Sequence, residues 1–115
     1  EFYQRKEIKD LLAYLRLLAN PADNEACVRA LGAPARGVGD KSLDDLRAWA
    51  ADRRVSLVRA CQSDEARGRI KGKAKAALVA FAGLLERMSL YASGPAEVAL
   101  LAVIEETAYF EHLAR

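Results

Sequence analysis

The sequence predicts an all-α domain, and three observations lead there. Alanine and leucine, both strong helix formers, dominate a composition that is 52% hydrophobic and only 7% aromatic. Apolar residues recur at helical spacing in several segments. No stretch alternates polar and apolar over strand length, so no sheet is expected. At 115 residues and 30% charged, the chain has the size of one ordinary domain and is too apolar for disorder. It can bury roughly two-thirds of its unfolded surface, enough for one core. The expectation is a single helical domain over 1–115 with about five to six helices.

Residues 6–19 form the first helix, with Ile8, Leu11, Leu12, Leu15 and Leu18 spaced along one face. Asn20-Pro21 ends it, because proline lacks the N–H and disfavours helix before it. Asp23 or Asn20 then caps a second helix near 23–31, carrying Ala26, Cys27, Ala30 and Leu31. The run Gly32-Ala33-Pro34-Ala35-Arg36-Gly37-Val38-Gly39 is a break, and two glycines around one valine allow a tight hairpin with positive φ angles. A third helix covers 40–53, with Leu43, Leu46, Trp49 and Ala50 facing inward. Ser56 caps a short turn from Leu57 to Cys61, and Gln62 to Arg69 reads as a polar loop. The longest stripe, over 70–92, holds Ile70, Ala74, Ala77, Leu78, Phe81, Leu84, Leu85 and Met88. Ser93-Gly94-Pro95 stops it, and Pro95 suits the first turn of a last helix that carries Val98, Leu101, Ala102 and Glu105 and closes near Thr107.

Composition excludes several chemistries. No apolar run reaches the roughly 20 residues that span a bilayer, so no membrane partner is expected. No signal peptide is recognisable, and the first residue, Glu1, suggests a piece of something longer. Cys27 and Cys61 stand far apart without CxxC spacing, and His112 is the one histidine, so a zinc site is excluded and a reduced, cytoplasmic setting expected. His112 has no Ser or Cys beside it to form a nucleophile and base pair. Asp44-Asp45 and Glu105-Glu106 are neighbours that point apart on a helix. No Walker-type glycine loop occurs, so no catalytic residue and no cofactor is expected in this segment.

Two places suit an anionic partner. At the first, Arg36-Gly37-Val38-Gly39-Asp40-Lys41-Ser42 leads from a hairpin into a helix start. Glycines permit close backbone approach to a phosphate, and the free N–H groups and positive dipole end favour an anion. Arg36 and Lys41 add charge; the competing reading is an ordinary turn between helices. The second is the basic run Arg67, Arg69, Lys71, Lys73 and Lys75. Lysines at a helix start oppose the macrodipole, which suggests a nucleic-acid partner, unless the helix starts later and they are simply solvated. The acidic last segment, with Glu97, Glu105, Glu106 and Glu111, leaves a protein-docking module as the alternative function. A glycosylase-lyase of the helix-hairpin-helix type would use Lys41, but Arg59 stands near where its downstream Asp belongs.

Phe2-Tyr3-Gln4-Arg5-Lys6-Glu7-Ile8-Lys9-Asp10, running into Leu11 to Leu18, resembles the segment entering the 2B subdomain of UvrD/Rep/PcrA-type superfamily 1A helicases. Asn20-Pro21-Ala22-Asp23-Asn24 and Ala33 to Asp40 continue the resemblance in order; beyond residue 46 only helical pattern and spacing agree. The resemblance implies part of an insertion in the second RecA-like half of an ATP-driven 3′-to-5′ DNA helicase. In such enzymes this subdomain contacts duplex DNA without reading sequence and modulates unwinding. Arg36, Gly37, Val38, Gly39, Asp40, Lys41 and Ser42 match the family's duplex-contacting GIG motif, with Val38 in place of the usual Ile. ATP and Mg2+ would belong to the parent enzyme, and the implied partners are duplex DNA, the other helicase subdomains and accessory proteins.

Overall fold

The computed structural model describes residues 5–107. Among them the chain is all-helical: α1 (Arg5–Ala19), α2 (Asn24–Leu31), α3 (Asp40–Arg53), α4 (Leu57–Gln62), α5 (Asp64–Arg67), α6 (Lys73–Ser89) and α7 (Ala96–Thr107). Phe2, Tyr3, Gln4, Glu111 and His112 lie outside the described residues.

Local chemistry explains the starts of α2, α4 and α5. The Asp23 carboxylate accepts from the Ala26 N–H and caps α2. Asn20, the alternative cap, instead accepts from Ala22 N–H in the turn before it. Ser56 caps α4 by accepting from Arg59 N–H. The segment expected as a loop contains a further helical turn, α5, because Ser63 caps it and Arg67 folds back to donate to the Cys61 carbonyl at 2.7 Å. The long stripe is shorter than expected at both ends. Ile70 is buried but precedes the helix, since Gly72 at φ 68° breaks the chain before Lys73. At the other end the chain tightens after Ser89 through i to i+3 bonds such as Tyr91 N–H to Met88 O.

One core joins these elements. α1 packs on α2 and α7, α4 sits between α3 and α6, and α6 also meets α7. Tyr14, Leu46, Leu57, Leu78, Phe81, Met88 and Val103 are the large side chains at its centre. On α1 the buried face differs from the expected one. Leu11 is buried, but Ile8 and Leu12 are 46% and 49% exposed, while Asp10, Tyr14 and Leu17 turn inward. The reason is polar: the Asp10 carboxylate takes Arg29 of α2 at 2.7 Å, which ties this face of α1 to α2, while Lys6 on α1 itself pairs with it at 2.8 Å. On α7, Ala99, Ala102 and Val103 face inward, leaving Val98 and Leu101 largely exposed.

Candidate nucleic-acid interface

The segment between α2 and α3 is built around Arg36. Its Nη1 donates to the carbonyls of Ala30 at 2.7 Å, Leu31 at 2.9 Å and Pro34 at 3.2 Å. Both of the first two lie in the last turn of α2, where Ala30 O already accepts from Ala33 N–H at 3.1 Å, and a cation there also suits the helix dipole. Its Nη2 donates to the Tyr14 hydroxyl at 2.8 Å, and its guanidinium lies 4.9 Å from the centre of the Phe81 ring. The single Tyr14 O–H is in turn shared between the carbonyls of Ala30, at 2.9 Å, and Ala33. Burial pushes the Tyr14 hydroxyl above its ordinary pKa, against the opposing pull of Arg36. Arg36 is therefore not the free cation expected from the sequence. The loop, with its cis Ala33-Pro34 bond, folds around its guanidinium.

Past Arg36 the chain turns outward. Gly37 adopts φ 78°, a conformation that side chains disfavour. Val38 is partly buried and packs on the core, so it pins the loop between two exposed glycines. Gly39 then caps α3 with φ −83° and ψ 178°. This corrects the expectation of positive φ at both glycines: only Gly37 has it. A Cβ added at either glycine would meet nothing within 4 Å, so the fold itself does not require the smallness of Gly39.

No side chain caps α3, and its first hydrogen bond runs from Leu43 N–H to Gly39 O. The N–H groups of Asp40, Lys41 and Ser42 occupy the positions that a helix start leaves for an outside acceptor. Lys41 is 90% exposed beside them, at 3.6 Å from Asp45. Ser42 is half-buried, and Asp40 is exposed in the first turn. A shallow cleft runs beside the hairpin, lined among others by Leu31, Gly37, Gly39 and Leu43.

The lysine run sits at the start of α6. Lys73 and Lys75 belong to its first turn, Lys71 lies just before Gly72, and all three are exposed. This helix too has no side-chain cap and no acidic residue in its first turn. Neither Lys71 nor Lys73 lines the cleft beside the hairpin.

Two features escaped the sequence reading. One is the inward role of Arg36. The other is the pairing of Cys27 and Cys61, remote in sequence yet both buried, on the packed helices α2 and α4. The neighbouring Cys61 thiol and burial push the Cys27 thiol above its ordinary pKa. Among the described residues, no group of His, Cys, Asp and Glu could hold a metal ion, and no helix is long and apolar enough to cross a membrane.

The sequence that builds this site has counterparts among known proteins. Residues 1–68 match the UvrD-like helicase C-terminal domain. The chain belongs to that family. It is 40% identical over 88 residues to DNA helicase II of Escherichia coli (strain K12), covering 76% of this chain and 12% of that protein. To the ATP-dependent DNA helicase PcrA of Bacillus subtilis (strain 168) it is 42% identical over 89 residues, 77% of this chain and 12% of the relative. A probable DNA helicase II homolog of Rickettsia conorii matches 97% of the chain at 34% identity, over 17% of its own length. The chain thus spans 12% of the first two of these relatives.

Proposed function

We propose that this chain is part of a 2B subdomain of an ATP-dependent 3′-to-5′ DNA helicase, and that it binds duplex backbone through the Gly37-Val38-Gly39 hairpin. In this reading α2, the hairpin and α3 act as a helix-hairpin-helix element and modulate unwinding by the parent's motor, which supplies the ATP and Mg2+ site. The observation that carries the reading is the start of α3. Its N–H groups lack a side-chain cap, and both flanking glycines face open space. A phosphate seated there would accept from backbone donors at the positive end of the helix. Lys41 supplies a nearby exposed charge, and Lys71 and Lys73 a second basic patch. Arg36 contributes by holding the loop in place. No side-chain set is poised for base edges, so the binding is independent of sequence.

Anisotropy titrations of a labelled duplex at several salt concentrations test this. With about 3–5 phosphates engaged, log K falls with log salt at a slope of about −3 to −4. Gly39→Val abolishes duplex binding while circular dichroism and melting stay close to the parent chain. A Gly39→Val protein that folds and binds duplex as well as the parent reduces the hairpin to a turn and ends the proposal.

A further inference from the structure

A second surface lies apart from the hairpin, in a groove of about 880 Å³ bounded by α1, α2, α3 and the start of α4. Its floor is apolar: Leu12, Ala13, Ala26, Val28, Ala50 and Leu57 contribute to it. Leu12 belongs to the stripe of α1 that the fold leaves uncovered, being 49% exposed. The charged residues lining the groove are Lys9, Arg16, Arg29, Arg47 and a lone carboxylate, Glu25. Arg29 is held by Asp10, and Arg16 by Asp23 at 2.9 Å and Glu25 at 3.5 Å. Lys9 and Arg47 are the least committed. Both are exposed, and among the described residues Arg47 pairs with Asp44, at 3.7 Å, whose own side chain is 72% exposed.

We propose that this groove docks an acidic amphipathic helix from a partner protein, its apolar face on Leu12 and its carboxylates on Lys9 and Arg47. The charge of the rim selects the sign of the partner. The walls select its conformation. They are helices, whose backbone groups are already paired, so an extended segment would bury its own N–H and C=O groups unmatched. A helix satisfies them internally and presents apolar side chains at i, i+3, i+4 and i+7. A single-stranded nucleic acid fits less well, because the floor is apolar and no aromatic side chain lines the groove to stack on a base. The inference stands independently of the hairpin's role.

The test uses fluorescein-labelled helical peptides of about 18 residues, long enough to hold some helix alone. One has leucines on one face and glutamates flanking them; the second replaces glutamate with lysine; the third scrambles the first. The first is expected to bind saturably, about tenfold or more tighter than either control. Lys9→Glu with Arg47→Glu, both at exposed sites, weakens it by about tenfold or more and reverses the preference toward the lysine peptide. Leu12→Asp weakens all apolar-faced peptides alike. Duplex affinity of the Lys9→Glu, Arg47→Glu protein stays within about threefold of the parent, as expected for a separate surface. Absence of saturable binding, equal affinity for the scrambled peptide, indifference to charge reversal, or an equal loss of duplex binding each overturns the proposal.

Discussion

α3 and α6 both start from a glycine without a side-chain cap, and nearly everything around the two starts differs. At α3 the preceding loop is tied down by Arg36 and by Val38 in the core, and the first turn opens with Asp40. At α6 the glycine itself carries the unusual φ, 68°, the anchor is the buried Ile70, and the first turn carries only cations. The comparison separates two ways of presenting an anion site. One offers backbone donors on a fixed loop, with little net charge. The other offers charge on flexible side chains, at some expense to the helix. Asp23, Ser56 and Ser63 show what this chain does at starts that need only be stable: each accepts from a backbone N–H of its own helix.

Breaking the fixed loop should have the largest effect. Arg36→Ala strips partners from the carbonyls of Ala30, Leu31 and Pro34 and from Tyr14, and is expected to destabilise the chain by about 2–4 kcal/mol. Thermal melting reads this as a fall of roughly 10 °C or more, and duplex binding goes with it. Tyr14→Phe keeps the packing and removes the hydroxyl, for a smaller loss of about 1–3 kcal/mol. The pH dependence follows from the raised pKa of Tyr14. Its contribution is present in full below about pH 10, the unfolded value, and disappears as pH rises through the higher folded value. Alkaline denaturation of Tyr14→Phe lacks that component.

The two glycines of the hairpin sharpen the contrast. Gly37→Ala places a side chain at φ 78° and should cost about 1–2 kcal/mol, visible in melting. Gly39→Val is different, since its φ is ordinary and the space around it open. It should cost less than about 1 kcal/mol in stability, with its effect confined to duplex affinity.

The smallest effects belong to α6. Lys73→Glu should stabilise its start by about 0.3–1 kcal/mol, since a carboxylate suits the positive end of the helix. Lys73→Ala should lower the salt slope of duplex binding by about one unit. An unchanged slope would leave α3 as the sole DNA contact of the pair. Lys41→Ala should likewise weaken binding modestly, as its side chain is 90% exposed and already near Asp45.

Much of this architecture is legible in the sequence because it is local. The Asn20-Pro21 stop, the serine at 56, and the inward faces of α2 and α3 follow from capping and period alone. α5 is missed because a single helical turn has no period to detect, and Ser63 looks like any loop serine until Ala66 N–H finds it. The rotation of α1 is missed for a different reason. Its leucines would allow several faces, and the choice among them is made by Asp10 meeting Arg29, 19 residues away. At the candidate site, the hairpin glycines are legible from spacing. The commitment of Arg36 is not, because its partners include Tyr14, 22 residues earlier in the chain, and Phe81 on α6.

That arginine also settles how the hairpin bears a mechanical load. A pull on Gly39 is not taken up by bending a slack connection between two helices. Through Arg36 it passes to the end of α2, to Tyr14 on α1 and to Phe81 on α6. The hairpin is thereby tied to three members of its frame. A force on the hairpin is then shared among α1, α2 and α6 rather than borne by the loop alone.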